Sequence, residues 1–181
     1  MLGYSPLYLV ILSGTGVNTG TPYTTKYELI YGGSAEAGLD LWNVNQHSWG
    51  FISGVQISQE RKMFSGKVNG QDVNTTTPTA KFQTSFIYLG AAYKWESFYV
   101  PLAITYGISK IEPAAGATGT TTEIKTGAGA LLGFGYFFSD SFAIEYIGRS
   151  ATMKLKFTNG ADHEENEGAI SAPLLNLKYF F

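Results

Sequence analysis

The chain contains no cysteine in its 181 residues, which excludes disulfide staples and thiol catalysis. Histidine is almost as scarce, with His47 and His163 alone. Charged residues make up 14% of the chain, against 44% hydrophobic ones. Long apolar runs are also missing: Gly, Lys, Glu or Asn interrupts every stretch before it reaches the roughly 20 residues that a membrane helix requires. With a net charge of −2 and no cluster of Lys or Arg to neutralise phosphates, nucleic acid is not an expected partner. No basic residue precedes Lys26, so the apolar run at 7–12 lacks the basic flank and cleavage site of an export signal. Met1 therefore reads as a start placed on a mature chain whose signal has been removed.

What is present is glycine and aromatic side chains, with 22 Gly, 12 Tyr and 12 Phe. The length fits one domain. Residues 169–181 set the pattern. Phe181, Tyr179, Leu177, Leu175 and Pro173 occupy every second position, and Phe180, Lys178, Asn176 and Leu174 occupy the alternate ones. In a strand one face is then oily and the other carries charge and amide. If the oily face meets lipid, the strand must lie in a closed sheet without edges; the alternative is a soluble antiparallel sheet ending in aromatics.

Period-two alternation recurs along the chain. Strands are expected at 5–13, 26–41, 49–63, 81–95, 98–108, 123–138, 142–157 and 169–181. In the second, Tyr27, Leu29, Tyr31, Ala35, Ala37, Leu39 and Leu41 share a face opposite Glu28, Ser34, Glu36 and Asp40. Pro101 inside the fifth suggests a bulge. Long polar segments at 14–25, 65–79, 112–122 and 158–168 alternate with short turns at 43–47, 96–97 and 139–141. Aromatics flank the short turns (Trp42, Trp49, Tyr93, Trp95, Phe98, Tyr99, Phe137, Phe138, Phe142) and, with the terminal Tyr179, Phe180 and Phe181, predict one interfacial girdle.

A terminal Phe with Tyr two residues earlier and apolar residues at Leu175 and Leu177 resembles the C-terminal signature of bacterial outer-membrane β-barrels. The strand and turn pattern as a whole resembles the OmpA/OmpX-type barrel. That resemblance implies an all-β, eight-stranded antiparallel up-and-down transmembrane β-barrel over residues 1–181. It also implies periplasmic termini, extracellular long loops, and recognition of Leu175, Leu177, Tyr179 and Phe181 by the barrel-assembly machinery. Outer-membrane lipids and lipopolysaccharide are the implied surroundings.

On this reading the lumen receives Glu28, Glu36, Asp40, Glu60, Lys62, Lys125, Glu145, Arg149 and Lys178, a nearly neutral network in a barrel too narrow for an open pore. Small outward residues (Gly33, Ala35, Ala37, Gly148, Ser150, Ser171) could form a protomer contact in a homo-oligomer. No catalytic, metal or cofactor site is expected. His47-Ser48 falls at the wrong end of the barrel for lipid A deacylation, and Asp162-His163 with Glu164 and Glu165 lacks both opposed aspartates and metal-ligand spacing. Asn74-Thr75-Thr76 is a glycosylation acceptor only in secreted eukaryotic chains. A structural membrane barrel is the expected function, with a narrow channel or a loop-borne adhesin as alternatives.

Overall fold

A computed structural model describes residues 1–73, 80–112 and 120–180. Phe181, the Asn74-Thr75-Thr76 motif and most of the expected third loop lie outside the described residues. The strands are β1 (Leu2–Ser5), β2 (Tyr8–Asn18), β3 (Thr21–Tyr31), β4 (Ser34–Asn43), β5 (Ser48–Ser58), β6 (Arg61–Val68), β7 (Gln71–Asp72), β8 (Lys81–Trp95), β9 (Phe98–Glu112), β10 (Thr121–Thr126), β11 (Ala128–Phe137), β12 (Phe142–Asn159) and β13 (Asp162–Tyr179). All of them belong to one antiparallel sheet that returns on itself, because β13 pairs both with β12 and with β1 and β2. Since β1/β2, β3/β4, β5/β6 and β10/β11 continue one another, the strands other than β7, which pairs only with β6, make an eight-strand ring.

Two of the expected long loops are strand. Residues 14–25 form the tip of the β2–β3 hairpin, paired up to Asn18↔Thr21. Residues 158–168 belong to the β12–β13 ladder, which closes at Asn159↔Asp162. Thr and Tyr favour a strand in the first of these, while the second, rich in Asp, Asn and Glu, is held by its ladders to β12 and β2; much of the polarity that suggested loops lies on the outer face of the wall. In the 65–79 segment, β6 turns back into β7 at Asn69-Gly70, where both residues have positive φ (53° and 81°), as a two-residue hairpin turn requires.

The wall changes character along its height. On β9, Phe98, Val100, Leu102, Ile104, Tyr106 and Ile108 point outward, and Leu102 and Ile104 are 52% and 69% exposed. That run rises about 33 Å along the strand at ~3.3 Å per residue, or about 25 Å at the usual tilt, the height of a membrane barrel's apolar band. On the unbroken β12 the outward residues run Phe142, Ile144, Tyr146, then Gly148, Ser150, Thr152, then Lys154 and Lys156. Its inward residues run oppositely, with Glu145 and Arg149 giving way to Ala151, Met153 and Leu155. The lower half is thus oily outside and ionic inside. The upper half is apolar inside and charged outside, and its core contains Val10, Leu12, Tyr31, Phe82, Phe86, Met153, Leu155 and Ile170.

Several strands cross this level through a break. Pro6-Leu7 and Gly32-Gly33 leave the ladder side by side, between Ser5↔Ser34 and Tyr8↔Tyr31. Across that gap the inward face of the second strand passes from Glu36 and Ser34 to Tyr31. At Gln59-Glu60 the register against β8 slips, from Gln56↔Phe86 to Arg61↔Phe82. At Gly127 it slips against β12, from Leu131↔Arg149 to Thr126↔Met153. A slip by one residue sends every following side chain to the other face; at Pro6-Leu7 and Gly32-Gly33 the mutual pairing stays unshifted, but the residues that leave the ladder reverse the facing of both strands, so the expected single face from Tyr27 to Leu41 does not exist. Pro101 behaves differently: the β8–β9 register runs through it unshifted, and no bulge forms. The β9–β11 ladder instead skips from Leu132↔Leu102 to Gly135↔Tyr99, since Pro has no N–H to donate.

Candidate functional site

The interior polar groups form two clusters on the axis. The lower one is built around Lys178, whose Nζ lies 2.7 Å from Asp40 Oδ2 and 2.8 Å from Glu145 Oε2. Asn176 donates to the other Glu145 oxygen at 3.0 Å, and the Tyr88 hydroxyl donates to Asp40. Strand alternation positions all five, because each occupies an inward site in the lower half of β4, β8, β12 or β13.

The upper cluster centres on Glu36, which is 4% exposed. Its Oε1 accepts from Arg61 Nη2 at 2.8 Å, from Arg149 Nη2 and from the Tyr8 hydroxyl at 3.1 Å. Arg149 also donates to Gln56 and, at 3.0 Å, to the Tyr8 oxygen. The Arg61 guanidinium stacks 3.5 Å from the Tyr8 ring centroid, and that of Arg149 lies 4.4 Å from the Phe86 centroid. Counting both clusters, Glu36, Asp40 and Glu145 face Arg61, Arg149 and Lys178, so the buried charges balance. Glu36 Oε2 and the Nε atoms of Arg61 and Arg149 have no hydrogen-bond partner among the described residues, so the network is held by a few strong contacts rather than by full saturation.

Of the nine residues expected in the lumen, Glu36, Asp40, Glu145, Arg149 and Lys178 point inward. The other four are corrected to the outside. Glu28 pairs with Lys26 at 2.7 Å, Glu60 reaches Lys81 at 3.5 Å, and Lys62 and Lys125 are exposed. Glu60 lies in a break, and Glu28, Lys62 and Lys125 lie beyond one, where the face extrapolated from the lower half is reversed. Arg61 was missed for the same reason: counting through Gln59-Glu60 without the slip places it outside.

Below the ions an aromatic plug closes the axis. Trp42 lies 4.9 Å from Tyr99, 6.1 Å from Phe137 and 5.5 Å from Phe180, centroid to centroid. These four residues, expected in the outer girdle, are inside it. Trp49, Trp95, Phe98, Phe138, Phe142 and Tyr179 remain exposed at that rim. Beneath the plug a hollow of about 470 Å³ opens at the lower mouth.

At the upper mouth Glu164 collects four donors: Tyr27 at 2.6 Å, Asn166 at 2.6 Å, Tyr23 at 2.8 Å and Thr25 at 3.1 Å. Burial pushes its carboxyl up, but the hydrogen bonds from Tyr27, Asn166, Tyr23 and Thr25 outweigh that and hold it below its ordinary range. Burial and the bond to Glu164 raise Tyr27. His163 points outward, and no group of three or more potential metal ligands occurs among the described residues.

Leu175, Leu177 and Tyr179 are exposed on β13. Gly33, Ala35, Ala37, Gly148 and Ser171 are exposed on the outer wall, and Ser150 is half-buried, its hydroxyl 3.2 Å from the Ala130 amide.

No protein-family model matches the chain, and no curated protein matches it. Solved structures do. The chain is similar to the outer membrane protein OprG from Pseudomonas aeruginosa, with 14% identity, a TM-score of 0.61, and coverage of 99% of this chain and 94% of that one. It is also similar to the outer membrane protein AlkL, solved in DMPC lipid bilayers, with 10% identity, a TM-score of 0.51, and coverage of 99% and 90%. At these identities the likeness shows a fold, and that fold is the outer-membrane β-barrel rather than the OmpA/OmpX type in particular.

Proposed function

We propose that the chain is an eight-stranded up-and-down barrel of the bacterial outer membrane, closed to ions at rest, with its termini in the periplasm and its upper half standing clear of the lipid. Its role on this reading is structural: it stabilises the membrane and orders the lipids around it. One observation carries the proposal, namely the inversion at mid-height from an aliphatic wall around buried ions to a charged wall around an apolar core. The first arrangement suits lipid, where only a closed sheet satisfies its backbone; the second suits water. The balanced ions and the Trp42, Tyr99, Phe137 and Phe180 plug support a closed axis. The exposed Leu175, Leu177 and Tyr179 suit recognition by the barrel-assembly machinery.

Planar-bilayer recording tests this: the refolded chain is expected to give no steady single-channel steps. A narrow channel is the second reading, favoured by the unsatisfied Glu36 Oε2 and Arg149 Nε on the axis, which leave side chains free to regroup around a passing ion. Steady steps abolished by E36Q would establish that reading in place of the first. The adhesin alternative has less support, because two of the expected loops are paired strand.

A further inference from the structure

Asn-Gly occurs twice in the chain, at Asn69-Gly70 and Asn159-Gly160, and each dipeptide stands exposed at a hairpin tip. The pair is chemically labile, because a glycine nitrogen with no side chain beside it can reach the preceding side-chain amide carbon and close a five-membered ring. Both glycines are equally open: Gly70 and Gly160 have positive φ (81° and 62°) and nothing within 4 Å of the place a Cβ would take.

The two asparagines differ. Asn69 is held twice by Lys26, since its N–H donates to the Lys26 carbonyl at 2.9 Å and its Oδ1 accepts the Lys26 N–H at 2.7 Å. Closing a ring on Asn69 has to break that hold. The side chain of Asn159 makes no hydrogen bond among the described residues. The β12–β13 ladder ends at Asn159↔Asp162, so Gly160 is a turn residue outside it.

We infer that Asn159 is a site of spontaneous deamidation on the folded chain and that Asn69 is protected from it. The Gly160 nitrogen, having given its proton to hydroxide, attacks Asn159 Cγ. The new C–N bond forms as the Cγ–Nδ2 bond breaks, and Nδ2 takes a proton from water and leaves as ammonia. Water then opens the resulting succinimide at either carbonyl, giving aspartate or isoaspartate.

The product alters the rim where two hairpins meet. Asp162 Oδ1 accepts the Thr19 N–H at 2.7 Å, which ties the tip of β12–β13 to that of β2–β3. A carboxylate at position 159 stands directly opposite Asp162 in the ladder, and like charges in that relation weaken a strand pair. Isoaspartate goes further: it carries the main chain through Cβ and Cγ and lengthens it by one carbon, which the ladder does not accommodate. Either product loosens the junction between the two tips, just beyond the Glu164 cluster.

The test is peptide mapping by mass spectrometry on the full chain, refolded in phosphatidylcholine vesicles, checked by its heat-dependent gel shift and aged in mildly alkaline buffer. Aspartate and isoaspartate are read at each asparagine from fragment spectra. In the folded chain Asn159 should convert about fivefold faster than Asn69, the factor that one ordinary hydrogen bond supplies. In urea the two should convert at similar rates, because both precede glycine. N159D, and wild type once aged, should show lower hydrogen-exchange protection at Thr19 and Asp162 than fresh wild type. Equal rates at the two sites in the folded chain, faster conversion at Asn69, or no isoaspartate at position 159 would overturn the inference. A difference that persisted in urea would trace to the neighbouring sequence and overturn the protective role of the fold. Unchanged protection in both N159D and the aged chain would overturn the loosening of the rim.

Discussion

Arg61 Nη1 donates to the carbonyl of Gly32 at 3.0 Å and to that of Ser5 at 3.4 Å. Both oxygens flank the gap where two strands leave their ladder, and Arg61 stands just after the next break along the ring. One buried guanidinium therefore serves the backbone groups freed at the breaks beside it, and with Nη2 anchors Glu36. A buried carbonyl left without a donor is costly, so the breaks and Arg61 require each other.

Replacing Arg61 should accordingly damage the barrel more than its single ion pair suggests. R61M is expected to lower unfolding stability by about 3–5 kcal/mol, the usual cost of stranding a buried charge. R61K should recover only part of this, since an ammonium cannot reach both carbonyls and Glu36 as a planar fork does. Urea titration in vesicles, followed by the gel shift, reads the difference.

Lys178 separates two carboxylates. K178M should leave Asp40 and Glu145 facing each other unpaired and impair folding, whereas D40N/E145Q/K178M, which removes all the charge, should be the more stable of the two variants by about 1–4 kcal/mol. The same titration tests the ranking, and a triple variant less stable than K178M would count against a charge-pairing role.

The lipid belt is testable at Leu102. L102R, in the middle of the outward run on β9, should cost about 2–4 kcal/mol in a bilayer. K110L, one outward position above the belt's end, should change stability by much less than that. Equal effects at the two positions would place the membrane boundary elsewhere.

Glu164 makes the upper mouth acid-sensitive. Its carboxyl is held below its ordinary value of about 4.5, so the folded state binds this proton less readily than the unfolded chain does. The stabilisation is present above that value and is lost as pH falls through the lower, folded value. Hydrogen-exchange protection at the tips of the β2–β3 and β12–β13 hairpins, taken relative to the intrinsic rate at each pH, should therefore fall on acidification. In E164Q that protection should be lower at neutral pH and nearly indifferent to acid.

How far the sequence could be read depended on whether a strand was continuous. On β9 the alternation of Phe98 to Ile108 could be followed from end to end because nothing shifts its faces; on β12 Phe142 to Tyr146 against Glu145 and Arg149 marked the two faces of the lower half, while the rest of that strand alternates too poorly in sequence to fix its register. On the broken strands the same counting put Glu28, Glu60, Lys62 and Lys125 on the wrong side and missed Arg61. Pro6, Gly32-Gly33 and Gly127 are recognisable break residues, but nothing at Gln59-Glu60 announces a slip. The inward turn of Trp42 was readable, since it shares parity with Asp40. The pairing of 14–25 and 158–168 was not, because a strand with a polar outer face has a loop's composition.

The breaks also distribute stiffness unevenly. From Phe142↔Tyr179 to Asn159↔Asp162, β12 and β13 are laced along their entire length, forming a continuous rail down one flank. The segments from β1 to β6 on the other flank are jointed at Pro6-Leu7, Gly32-Gly33 and Gln59-Glu60. Thermal flexing of the cylinder will concentrate on the jointed flank, with Arg61 as the clasp across its joints.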